Sequence, residues 1–173
     1  SPTGNLPDDL DHGLQCTASY NNPGAAVSSA AHIAVVEVDT LTGFVRVIKY
    51  VVAEDCGPIA NLGSVEGQIQ GAVVQGIGSA LFDEVRYDDS GQLQSGTFAD
   101  YLLPTSADAP DFEIVHQETP SPLTEGGYKG MAESGTIGAP AAIASAVMDA
   151  LDIEWSGCQL PFTPERILKL VSG

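Results

Sequence analysis

The 173-residue sequence predicts an α+β fold, a two-layer α/β sandwich of β-hairpins and two main helices. Three observations point there. Two β-rich runs flank the turn Thr40-Leu41-Thr42-Gly43, and apolar residues recur every four positions over 64–84. Strands and helices also alternate without the regular spacing of a parallel doubly wound sheet.

Residues 1–29 are polar and rich in turn formers, including Leu6-Pro7-Asp8-Asp9 and Asn21-Asn22-Pro23-Gly24, and read as an irregular segment cut from something larger. The folded unit is assigned to 30–173. Within it, 30–39 and 44–52 form the two strands of a hairpin, with His32 at its entrance in a structural role. Val65, Ile69, Val73, Ile77 and Leu81 mark one face of a helix over 64–84. Gly67, Gly71, Gly76 and Gly78 lie inside that helix, where each costs about 1 kcal/mol relative to alanine. Such a cost implies close approach of another backbone or of a flat ligand.

Val85-Arg86-Tyr87 and Gln92-Leu93 flank Asp88-Asp89-Ser90-Gly91 as a second hairpin, and 112–117 reads as a short strand. Four prolines over 101–122 favour extended loop. Pro140 is placed at the first position of a second helix over 140–151, and Thr163-Pro164-Glu165 caps a short third one. Ile153-Glu154-Trp155 reads as a strand between them.

Six Lys and Arg against 23 Asp and Glu give a net charge of −17, which excludes a broad electrostatic surface for nucleic acid or anionic membrane. No apolar run approaches the roughly 18 residues of a bilayer span, so no membrane insertion is expected. Cys16, Cys56 and Cys158 are far apart and accompany only three histidines, so local spacing assembles neither a zinc site nor an iron–sulfur cluster. An odd cysteine count fits a reducing compartment, and the cytoplasm is the expected location.

The densest chemical signal is 126–140, Gly-Gly-Tyr-Lys-Gly-Met-Ala-Glu-Ser-Gly-Thr-Ile-Gly-Ala-Pro. Its glycines at 126, 127, 130, 135 and 138 allow positive φ and close backbone approach. A carboxylate held there, Glu133, would lose solvation and rise toward the range of a general base. On local signals alone the plainer reading is a helix-end charge contributing about 0.3–1 kcal/mol. Lys129 is available to Glu133 or to a phosphate, or is simply solvated. Gln68, read near the opening of its helix, can present a donor and an acceptor to a heterocycle or is merely exposed. Asp88, Asp89, Asp108 and Asp111 read as solvated turn residues.

Two segments together, Val65-Glu66-Gly67-Gln68-Ile69-Gln70-Gly71 with the residues running on to Gly78, and Lys129-Gly130-Met131-Ala132-Glu133-Ser134-Gly135, resemble the C-terminal part of the molybdenum-binding large subunit of the xanthine oxidase, aldehyde oxidase and carbon monoxide dehydrogenase family. Ile33 to Asp39, Asp55-Cys56-Gly57 with Asn61, and Leu102-Leu103-Pro104-Thr105 follow in that family's order. Tyr101 to Asp108 and Thr119-Pro120-Ser121-Pro122 look most like the bacterial carbon monoxide dehydrogenase-like branch.

The resemblance implies a molybdopterin cofactor carrying molybdenum, in bacteria usually as the cytosine dinucleotide, with FAD and 2Fe-2S centres on partner subunits or domains. It implies that Glu133 is the catalytic base beside the molybdenum and that Gln68, with Gly67, hydrogen-bonds the pterin. The backbone of Lys129, Gly130, Met131 and Ala132 would line the cofactor. The pterin holds the metal, so no protein ligand to molybdenum is implied. Where the family usually has Gly-x-Gly-Glu, this sequence has Gly-Met-Ala-Glu; a positive φ at Ala132 would cost about 1 kcal/mol or more. The substrate, an aldehyde, an N-heterocycle or carbon monoxide, is selected by a loop lying upstream. The implied partners are the remainder of the large subunit and the flavin and iron–sulfur subunits, and the chain alone is expected to be inactive. The alternative is a non-catalytic assembly module of the same complex.

Overall fold

The computed structural model describes residues 16–21, 23–154 and 158–172. Strands β1 (Ser29–Val38) and β2 (Val45–Asp55) form the expected antiparallel hairpin. Asp39 fixes its turn, with Oδ1 accepting from the Leu41 amide at 2.9 Å and Oδ2 from the Thr42 hydroxyl at 2.7 Å. Gly43 supplies the positive φ of 77° that closes it. Strand β3 (Asp111–Gln117) joins the other edge of β2 in parallel, so the sheet order is β1-β2-β3. The connection from β2 to β3 carries the helix α1 (Leu62–Leu81) and the long loop after it.

Alternation gives the sheet two distinct faces. Tyr50 and Val52 of β2 point into the helical layer and are fully buried, joined there by Phe112 and Ile114 of β3. The opposite face leaves Ile33, Val35, Ile48 and Val115 exposed. A bulge between Val35 and Val36 makes the registers Val35↔Lys49 and Val36↔Val47 consecutive, so Ile48 has no partner.

Helix α1 begins two residues before the predicted start because Asn61 caps it, its side chain accepting from the Ser64 amide at 2.9 Å. Ile69, Val73, Ile77 and Leu81 are buried, as their four-residue spacing requires. Helix α2 (Ser134–Leu151) begins six residues before Pro140, which lies inside it rather than at its first position. Tertiary packing overrides the local signals here. A Cβ at Gly135 would lie 2.7 Å from Ala72 Cβ and 2.8 Å from the Ile69 carbonyl, and one at Gly138 would strike the His32 ring. These glycines are therefore helical contact points and not turn residues. Only Gly126 and Gly127 of that loop have positive φ.

Helix α3 (Pro164–Ser172) follows Thr163, whose hydroxyl accepts from the Arg166 amide at 3.4 Å. Arg166 pairs with Glu84 just beyond α1, and the Phe162 amide donates to the Ala80 carbonyl at 2.7 Å, fastening the C-terminal segment to α1. The second hairpin is reduced to one bridge, Tyr87↔Leu93. Asp88 and Asp108 are exposed but not merely solvated: Asp88 Oδ1 takes the Ser90 and Gln92 amides at 2.9 Å, and Asp108 takes the Thr105 amide at 2.7 Å. The strand predicted at 153–155 does not form at Ile153 and Glu154, because Asp152 turns left-handed (φ 52°) and the Ile153 amide bonds back to the Met148 carbonyl. Trp155 lies outside the described residues.

Candidate functional site

The end of the sheet where β2 and β3 finish holds the loop before α2. Asp55, the last residue of β2, organises it. Its Oδ1 accepts from the Gly57 amide at 3.1 Å, the Thr119 amide at 3.0 Å and Lys129 Nζ at 3.1 Å. These donors, with the Thr119 interaction the largest contribution, hold the Asp55 carboxyl well below the usual carboxylate range. Lys129 is thus committed to Asp55, with both side chains nearly buried, and not to Glu133 or a phosphate.

Backbone contacts complete the anchorage. The Lys129 amide donates to the Cys56 carbonyl, the Gly130 amide to the Ala26 carbonyl and the Ser28 amide to the Gly130 carbonyl, all at 3.0–3.1 Å. Gly57, at φ 71°, lies so close to Gly127 that a Cβ would sit 2.3 Å from its carbonyl oxygen. Cys56 is buried, which pushes its thiol up.

Past Gly130 the chain turns outward. Met131 packs against the core, whereas Ala132 and Glu133 are exposed. Glu133 is the residue before α2 and its side chain caps nothing, so this chain does not supply the desolvation foreseen for it. Ala132 has no positive φ, and alanine is accommodated without strain. Gln68 is not at the opening of α1 but in its second turn, exposed, with Gly67 and Gly71 beside it. Among the described residues, nothing lies within 4 Å of where a Cβ would stand at either glycine. The contact of Gly135 on Ile69 and Ala72 brings the start of α2, which follows Glu133, against the part of α1 that carries Gln68. Gly76 serves the same helix crossing further along, against Ala139, and Gly78 admits the Asp83 carboxylate.

Residues 9–110 match a family model described as the molybdopterin cofactor-binding domain. The chain belongs to that family. This molybdopterin-binding domain is 46% identical over 168 residues to the nicotine 6-hydroxylase large subunit of Paenarthrobacter nicotinovorans, covering 96% of the chain and 21% of that subunit. It is 33% identical over 164 residues to the carbon monoxide dehydrogenase large chain of Hydrogenophaga pseudoflava, covering 94% and 20%. Among solved structures it superposes on quinoline 2-oxidoreductase from Pseudomonas putida 86 with a TM-score of 0.76 at 48% identity, covering 82% of the chain and 18% of that one. The domain thus spans about a fifth of the length of the relatives it matches, and corresponds to one domain of molybdenum-dependent oxidoreductases.

The residues of the domain suit a flat polar cofactor. Among the described residues, the Gln68 carboxamide and the backbone amides of Met131, Ala132 and Glu133 make no hydrogen bond, while Gly67 and Gly71 leave open space beside Gln68. No group of three or more His, Cys, Asp or Glu among the described residues could hold a metal ion. No helix among them is long and apolar enough to cross a membrane. Sequence reasoning missed the role of Asp55, and also a buried carboxyl next to it, Glu54. The available signal was two acids ending a run of alternating apolar residues, which sends one to each face of the sheet.

Proposed function

We propose that this chain is the C-terminal cofactor-binding and catalytic-base domain of the large subunit of a molybdenum hydroxylase. The single observation that carries the reading is the packing of Gly135 on Ile69 and Ala72, which draws the segment bearing Glu133 against the part of α1 that bears Gln68. When bound, the molybdopterin supplies the redox centre and the activated oxygen nucleophile. Gln68 offers its carboxamide as donor and acceptor to the pterin, with Gly67 leaving room for the ring. The amides of Met131 and Ala132 would be available to hold the cofactor, and Lys129 and Gly130 hold the loop by their bonds to Asp55, Cys56 and Ala26. Glu133 would serve as the general base, taking up a proton at a carboxylate oxygen.

The remainder of the large subunit closes over this face and supplies the desolvation Glu133 lacks here. Flavin and 2Fe-2S partner subunits carry the electrons away, and the cofactor is the cytosine dinucleotide form. Nicotine 6-hydroxylase and quinoline 2-oxidoreductase, at 46% and 48% identity, favour an N-heteroaromatic substrate over carbon monoxide. The free cysteines Cys16, Cys56 and Cys158 fit a cytoplasmic complex.

In the full complex, Glu133→Gln lowers kcat on the order of 10²- to 10⁴-fold with molybdenum content near that of wild type, while the 173-residue chain alone turns nothing over. Loss of molybdenum from the Glu133→Gln complex points instead to the assembly-module reading. Turnover by the isolated chain defeats the proposal.

A further inference from the structure

Glu54 is 1% exposed, and neither carboxyl oxygen has a hydrogen-bond partner among the described residues. It ends the inward face of β2, in register with His116 on β3. The hydroxyls of Ser134 and Ser28 flank it, and neither donates to it. Ser134 Oγ donates instead to the Met131 carbonyl at 2.9 Å, bracing the turn 131–134 that carries Glu133.

A hydroxyl has one proton. With that proton on the Met131 carbonyl, Ser134 has only lone pairs left to offer Glu54, which suits an acid O–H and repels a carboxylate. The surroundings agree. Asp55 is ionised next in sequence with Lys129 as its partner, and Glu66 on α1 lies 3.6 Å from Nε2 of His116, the residue in register with Glu54. Burial pushes the Glu54 carboxyl above the ordinary glutamate range, with the two serine hydroxyls and His116 opposing and Asp55 assisting.

We propose that Glu54 is a neutral positioning residue for the catalytic turn: its carboxyl O–H donates to Ser134 Oγ, which commits the Ser134 hydroxyl to the Met131 carbonyl and fixes the turn bearing Glu133. Ionisation of Glu54 reverses the order. The Ser134 hydroxyl then turns to the carboxylate, the Met131 carbonyl loses its brace, and Glu133 loses its placement. The proposal rests on Glu133 being the base, but the state of Glu54 is readable without it.

The test uses the assembled complex as wild type, Glu54→Gln, Glu54→Ala and Glu133→Gln. Infrared spectroscopy near neutral pH shows a buried protonated-carboxyl band in wild type and in Glu133→Gln, absent from both Glu54 variants. The Gln side chain keeps a donor for Ser134, so Glu54→Gln retains kcat and loses the alkaline fall in kcat that wild type shows. Glu54→Ala, lacking the donor, loses kcat on the order of 10- to 100-fold with KM and molybdenum content little changed. Absence of the band, which would mean an ionised Glu54 paired with His116, overturns the proposal. So does a Glu54→Gln complex as impaired as Glu54→Ala, or one that keeps the alkaline limb. Retained turnover in Glu133→Gln defeats the assignment of the base while leaving the band in place.

Discussion

Glu54 and Asp55 are consecutive carboxylates with opposite fates. Asp55 faces the loop and collects three donors, while Glu54 faces the apolar layer and collects none. Their effects on stability have opposite signs with pH. Asp55 has a depressed folded pKa, so its contribution is full above the ordinary aspartate value of 3.8 and is lost as pH falls through the folded value. Glu54 has a raised folded pKa, so its contribution is full below the ordinary glutamate value of 4.5 and is lost as pH rises through the folded value. Asp55→Asn therefore flattens the acid limb of chemical-denaturation stability against pH, and Glu54→Gln flattens the limb above pH 4.5. An unchanged acid limb in Asp55→Asn would show that the three donors do not discriminate the ionised form. The sequence displayed both acids plainly. It did not show which side of β2 was dry, because that depends on where α2 lies.

The glycines of α1 and α2 divide in the same way at the scale of elements. Gly135 and Gly76 are where the two helices touch, and a larger side chain there meets backbone or a buried methyl within 2.5–2.8 Å. Gly135→Val forces the helices apart and costs about 1–3 kcal/mol, read as a lower midpoint in denaturant. Gly67 and Gly71 meet nothing, so Gly67→Ala and Gly71→Ala stabilise the isolated chain by about 0.5–1 kcal/mol each. In the assembled complex the same alanines reduce molybdenum content if that face receives the pterin. Stabilisation with molybdenum content unaltered would remove the face from the cofactor site. Excess glycine in α1 was visible from the sequence, and close approach was its stated reason. Which glycines meet a helix and which meet open space was decided by the crossing point. The same crossing explains why α2 starts at Ser134: Gly135 and Gly138 look like loop residues until Ala72 and the His32 ring are placed beside them.

At the scale of the molecule, the described residues cover one face of the sheet and leave the other open. Ile33, Val35, Ile48 and Val115 form an exposed apolar surface beside the edge strand β1, on a chain of net charge −17. Mutual repulsion keeps such chains apart at low salt and fails when the Debye length shrinks from about 10 Å at 0.1 M to about 3 Å at 1 M. Sedimentation velocity is expected to find monomers at low ionic strength and self-association at 1 M salt. Ile33→Lys should suppress that association although it lowers the net charge; greater association in this variant would show that charge and not the apolar face is in control. By itself the sequence determined the hairpin, the buried stripe of α1, the α+β class and the family resemblance carried by the segments around Gln68 and Glu133, because periodicity, turn chemistry and motif order are local properties of the chain. Only the tertiary structure decided that β3 pairs in parallel with β2, that Lys129 belongs to Asp55, that Glu54 is buried without a partner among the described residues, and that α1 and α2 cross at Gly135. Each of these depends on which surfaces meet across tens of residues, and burial and close contact are settled by the neighbour as much as by the residue itself.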